Sequence, residues 1–275
     1  MTPVGQLAVR AILPLVHWIR RRGYPDLPKD QSVVRVFFRD KQLQLIYRRQ
    51  GSDREVIDQC FAEAQYDFPG GPHGLLLQAL YEEILAAGRK PLIIDCGANI
   101  GASVVWFNAR YPEAHIVAVE PAPDNFAVLT RNCANLDVDL RQAGVAATDG
   151  VAYLSSHDEC YMGYRTNTDH LGQQIAVVSV ATLVASKSPE RYTPFLLKID
   201  IEGAEKGLFQ GDCAALNRFP LIILEPHDRL FPGQLTSLPF FEFHAAAGRE
   251  FCAQHENVAS IVCHDALPAM VKKGS

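Results

Sequence analysis

Hydrophobic positions gather into short, dense runs, and each run closes on a carboxylate. Leu92, Ile93 and Ile94 precede Asp95, residues 116–119 precede Glu120, residues 195–199 precede Asp200, and residues 221–224 precede Glu225. Apolar runs this dense, without alternation, predict parallel strands covered by helices on both faces. After the first run the spacing turns helical at Val104, Val105 and Phe107 and continues to about Tyr111, where Pro112 stops it. A further helix opens at Pro123 and carries Phe126, Leu129 and Cys133, and a third strand is expected over residues 138–147. Residues 175–184 read as another strand, 240–247 as a helix, and 249–254 and 258–262 as two closing strands.

The N-terminal part has a different pattern. Val34, Val36 and Phe38 alternate, as do Leu43, Leu45 and Tyr47, about a polar turn at Asp40 and Lys41, which predicts a β-hairpin. Ser52 stands three residues before Glu55 as a capping box, and Val56, Ile57, Cys60, Phe61 and Ala64 follow at helical spacing. A second helix is predicted over residues 75–87, closed by Gly88. Ahead of the hairpin, residues 6–19 are apolar but interrupted by Arg10, Pro14 and His17, and they are too short to span a bilayer. The basic run Arg20, Arg21, Arg22 follows this segment, where a signal peptide would have it in front. Leu7, Ala11, Leu15, Trp18 and Ile19 share one helical face, so an amphipathic helix is expected here. It packs on the body of the protein or on a second subunit of a homodimer in preference to a membrane interface. Residues 149–175, rich in Gly, Ser, Asp, His and Tyr, show no sustained period and are expected to form a loop or hairpin insert beside the ligand.

Candidate chemistry sits where the dense runs end. The turn DCGANIG joins a strand to a helix, with Gly97 and Gly101 four apart, Asn99 between them and Asp95 two residues ahead of the first glycine. Glycine there permits positive φ and lets a ligand approach the main chain. Glu120, at the tip of the next strand, suits a ribose, because an acid in that position accepts both hydroxyls of a bound nucleoside. A dinucleotide site would show G-x-G-x-x-G with a helix N-terminus turned to a pyrophosphate, and Asp95 sits badly for that anion. A ligand with a cationic arm and no phosphate fits better, which points to S-adenosylmethionine. Pro121, Asn125, Gly144 and Val145 complete the expected cofactor contacts, with the adenine lying near Gly144 and Val145. In an open α/β sheet ligands bind beyond the carboxyl ends of the strands, so Asp95, Glu120, Asp200, Glu202, Glu225 and His227 are expected at one rim.

Composition narrows the partners. The 275 residues allow one large α/β domain plus an extension, and a net charge of -5 offers no basic face for nucleic acid. The seven cysteines are scattered and never spaced C-x-x-C, which suits small core residues in a reducing, cytoplasmic compartment. Cys252, His255, Cys263 and His264 lack finger spacing and are not read as a zinc set.

In order and spacing, DCGANIG, VEP-x-P-x-N, LLKIDIEGAE and ILEPH resemble the FkbM family of S-adenosylmethionine-dependent methyltransferases, over about residues 50–262. The resemblance implies the class I methyltransferase fold, a seven-stranded mixed sheet with its last strand antiparallel and helices on both faces. It also implies O-methylation of a sugar or natural-product hydroxyl. One departure is visible: the family's T-L-D segment is replaced by ATLVAS, with Val184 in the place of the acid. Residues 1–74 are expected to form an N-terminal helix-and-hairpin extension and cap, and 75–275 the cofactor-binding domain. Asp200, Glu202 and His227 are the catalytic candidates, Asp200 also touching cofactor. Either His227 takes the acceptor's proton, oriented by Asp200 or Glu225, or Asp200 and Glu225 hold a divalent metal. The rival classes are a non-catalytic cofactor-binding scaffold of a biosynthetic complex and, more remotely, a dinucleotide-dependent oxidoreductase. D-P-P-Y or N-P-P-Y, the mark of a base methyltransferase, is replaced by DIEG.

Overall fold

A computed structural model describes residues 16–19, 27–67, 71–156, 164–167 and 172–263. Its elements in chain order begin with β1 (Val16–Ile19), β2 (Gln31–Phe38), β3 (Lys41–Arg48), α1 (Asp53–Phe61) and α2 (Pro72–Ala86). Then follow β4 (Lys90–Cys96), α3 (Ala102–Arg110), β5 (His115–Val119), α4 (Pro123–Asn132), β6 (Val138–Arg141), β7 (Gly144–Ala146), β8 (Gly150–Ser156), β9 (Tyr164–Asn167) and β10 (Gln173–Ser179). The chain closes through α5 (Val180–Ala185), β11 (Tyr192–Ile199), α6 (Glu205–Gln210), β12 (Leu221–Leu224), α7 (Leu238–Ala246), β13 (Glu250–Gln254) and β14 (Asn257–Ile261).

The central sheet has seven strands in the order β13-β14-β12-β11-β4-β5-β6. The five from β12 to β6 are mutually parallel, and the last strand of the chain, β14, runs antiparallel between β12 and β13. This is the class I methyltransferase arrangement, as expected. Alternate residues of each inner strand feed two separate cores. Ile93, Ile116, Leu196 and Ile223 face one, while Ile94, Val117, Leu197 and Ile222 face the other. Both faces are covered, so the strands carry apolar residues at consecutive positions.

The hairpin β2–β3 forms as expected, with Val34 opposite Leu45 and Val36 opposite Leu43. Val34, Val36, Phe38, Leu45 and Tyr47 are buried in the same core as α1, α2 and α3. Trp106 on α3 joins these parts: it is fully buried and meets Phe38, Tyr66 and Phe107 with ring centroids 5.3, 5.9 and 5.5 Å away.

Four expectations are corrected. Residues 16–19 are not helical: they form β1, paired antiparallel to β2, and residues 6–15 lie outside the described residues. The hairpin edge offers unpaired backbone groups, and pairing there outweighs the helical face. The Ser52 hydroxyl makes no capping bond. The start of α1 is instead set by buried Asp53, whose Oδ2 accepts the backbone N–H of Arg48 at 2.7 Å. The strand expected over residues 138–147 is two strands in two sheets: β6 is the edge of the central sheet, and β7 pairs parallel with β10 in a four-stranded sheet of order β7-β10-β8-β9. That second sheet absorbs the segment read as aperiodic, because Ala152, Leu154, Ile175 and Val177 do alternate and share a small core with Ala122. Residues 157–163 and 168–171 of that segment lie outside the described residues. Among the described residues no helix is long and apolar enough to cross a membrane, and the six described cysteines are free thiols.

Because Trp106 carries the joint between extension and sheet, Trp106→Ala should cost about 3–5 kcal/mol of stability. Its indole N–H is buried without a partner, so Trp106→Phe should cost clearly less. Equilibrium denaturation of both variants measures the two losses; equal losses would show that ring volume is not what matters there.

Candidate active site

Parallel strands place their carboxyl ends on one edge, so the acids that close β4, β5, β11 and β12 come together. At the centre lies a residue that the sequence reading passed over. Lys198 stands directly opposite Asp95 in the register of β11 and β4, and both are buried. Its ammonium is 3.1 Å from Asp95 Oδ1 and 3.3 Å from Asp200 Oδ2, and it donates to the Gly97 carbonyl at 2.9 Å. Burial disfavours that charge, but the carboxylates of Asp95 and Asp200 outweigh burial and hold the lysine well above its ordinary range. Asp95 Oδ2 accepts from the Ser103 hydroxyl at 2.6 Å. Asp95 is therefore an internal anchor of the turn. A lysine inside an otherwise apolar strand run was the available signal, since a buried charge must be paired.

Both glycines take the positive φ expected of them, and packing adds a second requirement. Gly97 has φ +85°, and a Cβ there would sit 1.8 Å from the carbonyl oxygen of Asp200. Gly101 has φ +87°, and a Cβ would meet the Leu129 side chain at 2.7 Å. Both are bare so that β11 and α4 can pack against the turn. Asn99 between them takes φ 49°, which presents its N–H to Glu120 Oε2 at 2.9 Å.

Glu120 is buried at the tip of β5, and half-exposed Pro121 follows it. Its Oε1 accepts from the Ala122 N–H at 2.9 Å and from the Asn125 amide at 3.3 Å. Burial nevertheless lifts its pKa to about 7, against the pull of these bonds. Gly144 and Val145 lie in β7, both buried, with Val145 in the same core as Ile94 and Val117.

On the other side of Lys198 is His227, 2% exposed. Its Nδ1 is 2.9 Å from Oε1 of buried Glu205, which also accepts the Ile201 N–H at 3.2 Å. Its Nε2 faces Glu225 Oε1 at 3.6 Å, Asp200 Oδ1 at 3.7 Å and Glu202 Oε2 at 3.7 Å. Glu202 reaches this position from the left-handed region, φ 53°, a conformation that costs a non-glycine residue on the order of 1 kcal/mol or more. Burial favours the neutral ring, but the Glu205 hydrogen bond and the charges of Glu205, Asp200 and Glu202 raise the pKa to about 9. Burial, then the Asp200 charge, lift the Glu225 carboxyl to about 8. The partner that orients His227 is thus Glu205, and neither Asp200 nor Glu225. Val184 is buried under the sheet, so the missing acid leaves an apolar contact.

A cleft beside Lys198 is lined by Cys60 and Tyr66 of the extension, Gly97 and Asn99 of the turn, and Asp200, Glu202 and Glu225 of the rim. Asp200, Glu202 and His227 each bring one ligand atom within 4.8 Å of the others, a group able to hold a metal ion. It differs from the Asp200 and Glu225 pair expected from sequence.

The Methyltransferase FkbM domain matches residues 95–264, more than half of the chain. The chain belongs to the FkbM methyltransferase family. Among curated relatives it is similar to Methyltransferase sdnD of Sordaria araneosa, 41% identical over 70 residues, which is 24% of this chain and 27% of that protein. It is 29% identical over 142 residues to Methyltransferase 1 of Beauveria bassiana, covering 43% of this chain and 57% of that one. To the hexuronic acid methyltransferase AglP of Haloferax volcanii it is 26% identical over 166 residues, covering 59% and 66%. The matches thus span less than two thirds of each relative's length.

The residues present in this FkbM protein fit S-adenosylmethionine. Glu120 Oε2 accepts one bond where a carboxylate oxygen takes two, and three donors do not offset the cost of burying it, so further hydroxyl donors would be favourable. The rim beside it holds Asp200, Glu202, Glu225 and Glu256, which outnumber the nearby cations His227 and Arg229 and so suit a sulfonium or ammonium better than a pyrophosphate.

Removing the central cation tests this arrangement. Lys198→Met leaves Asp95 buried without its counter-charge and should cost about 3–5 kcal/mol. Adding Asp95→Asn should recover part of the loss, because the two side chains act as a pair. Denaturant titration of both variants measures this, and additive losses would show that the pair is not coupled.

Proposed function

We propose that this protein is an S-adenosylmethionine-dependent O-methyltransferase acting on a hydroxyl of a sugar or natural-product acceptor. The observation that carries the reading is the buried Glu205–His227 pair, with Nδ1 held and Nε2 turned to the carboxylate rim. A base oriented through its other nitrogen is the arrangement that activates a hydroxyl. When bound, the cofactor supplies a methyl group activated by its sulfonium, and in-line positioning provides much of the acceleration. Glu120 receives the ribose hydroxyls, beside Asn99, whose N–H it accepts and which borders the cleft together with Gly97. The acceptor enters between α1 and the rim, where Gln59, Gln65, Glu202, Glu225 and Glu256 offer polar partners suited to a polyhydroxylated molecule. His227 Nε2 takes the hydroxyl proton as the oxygen attacks, and Asp200, Glu202 and Glu225 stabilise the resulting imidazolium. Similarity to a relative named as a hexuronic acid methyltransferase supports a sugar-type acceptor.

Two measurements test the cofactor and the proton separately. Glu120→Gln should weaken S-adenosylhomocysteine binding roughly ten- to a hundred-fold, from the loss of a charged hydrogen-bond acceptor. Hydroxyl donors favour the ionised carboxyl, so affinity of the unmodified protein should rise with pH and level off above about 7, a dependence that Glu120→Gln should lack. Calorimetry across pH 6–8, on the order of one unit either side of that value, reads both effects. Unchanged affinity in the variant would remove Glu120 from the site.

For the proton, His227 must first lose its own. Turnover should therefore rise with pH through about 9, above the ordinary histidine range. His227→Ala should lose about 10²- to 10⁴-fold in turnover with cofactor affinity nearly unchanged. The grouping of Asp200, Glu202 and His227 favours one competing reading, a divalent metal that activates the hydroxyl. Full activity in chelator eliminates the metal, whereas loss in chelator with recovery on adding a divalent ion eliminates His227 as the base.

A further inference from the structure

The N-terminal extension reaches Glu120 through a continuous line of polar contacts that begins at Asp53 and Arg48, two residues the chemistry above does not use. Asp53, the buried first residue of α1, accepts from Arg48 three times: from its N–H at 2.7 Å, its Nε at 3.0 Å and its Nη2 at 2.7 Å. The same Nη2 also donates to Asn125 Oδ1 on α4 at 2.7 Å. Asn125 Nδ2 donates to Glu120 Oε1 at 3.3 Å, and Glu120 Oε2 holds the Asn99 N–H at 2.9 Å. The line runs from the end of the hairpin, across two helices, to the acid at the tip of β5.

The Asn125 amide has one accepting and one donating end, and it sits between a cation and a carboxylate. Turned over, it would set Nδ2 against the Arg48 guanidinium and Oδ1 against Glu120, donor against donor and acceptor against acceptor. The guanidinium therefore decides which end of the amide meets Glu120. Anchoring the hairpin to α1 needs only the Arg48–Asp53 bonds, and the contact to Asn125 is additional to them.

We infer that Arg48 is a positioning residue for the cofactor ribose: it holds Asn125 with its donor toward Glu120 and so fixes the carboxylate that receives the ribose hydroxyls. The N-terminal extension is on this account part of the cofactor site. The inference rests on the reading of Glu120 as the ribose acceptor.

The test compares two ligands by calorimetry on the full chain: S-adenosylhomocysteine and its 2′,3′-dideoxy analogue, which lacks the ribose hydroxyls. Arg48→Met should weaken S-adenosylhomocysteine about three- to tenfold and leave the dideoxy analogue within about twofold. Combining it with Asn125→Ala should weaken binding no further than Asn125→Ala alone, because the two residues act in series. Should Arg48→Met not fold, Arg48→Lys keeps a cation for Asp53, lacks the guanidinium fork, and is expected to show the same preference for losing the ribose-bearing ligand. Equal weakening of both ligands would make Arg48 purely structural and overturn the inference. So would unchanged S-adenosylhomocysteine binding in Arg48→Met while Glu120→Gln weakens it. If Glu120→Gln itself changes nothing, the ribose reading fails first and the inference with it.

Discussion

The site depends on one buried ammonium. Lys198 lies between Asp95 and Asp200 and bonds the Gly97 carbonyl, so a single group ties the ends of β4 and β11 to the turn that follows β4. Without a cation there, two carboxylates from adjacent parallel strands would face each other, one of them fully buried, with nothing to offset the desolvation and repulsion. With it, the strands can bring acids close together at one edge. The same pairing explains why Gly97 must be bare: Lys198 draws β11 so near the turn that the Asp200 carbonyl occupies the space a Cβ would need.

Around that centre the charges divide into two sets with different duties. Toward β5, Glu120 is held by neutral donors, the backbone of Asn99 and Ala122 and the amide of Asn125, and it retains capacity for more. Toward β12, Asp200, Glu202 and Glu225 surround an imidazole at distances just too long for hydrogen bonds. A carboxylate satisfied by neutral donors suits hydroxyl recognition, and a histidine enclosed by carboxylates suits proton chemistry. The extension borders both, because Tyr66 packs on Trp106 and lines the cleft while Arg48 reaches Asn125.

Much of this was legible in the chain. Unalternating runs identified the inner strands, because both their faces are covered, and the acid at the end of each run identified the rim, because parallel strands end on one edge. Alternation about Asp40 identified the hairpin. What escaped was decided by tertiary pairing. β1 is a strand because β2 offers it an edge, and residues 138–147 divide because β10 takes the second half into another sheet. Ser52 makes no capping bond, and the Asp53 carboxylate beside it turns to Arg48. Glu205 was hidden for a related reason. Its place in KIDIEGAE looks like the first turn of a helix, where an acid is ordinary, and only the return of the chain from β12 brings His227 against it.

The glycine turn meets two requirements at once, positive φ and close packing. Gly97 borders the cleft and also makes room for β11, and Gly101 makes room for α4. The turn therefore specifies how tightly strand and helix pack, a requirement shared by many nucleoside-binding folds whatever their ligand. Discrimination between a phosphate-bearing and a sulfonium-bearing nucleoside has to come from elsewhere. Here it comes from charge: Lys198, the cation nearest the turn, is already bound by Asp95 and Asp200, and the cleft beyond it is bordered by Asp200, Glu202, Glu225 and Glu256. Arg229 beside Glu225 and Glu256, and His227 among Asp200, Glu202 and Glu225, offset part of that charge, but the acids outnumber the cations, so a cationic arm is favoured over a pyrophosphate. The acids that close the apolar runs thus carry more information about the ligand than the glycines between them.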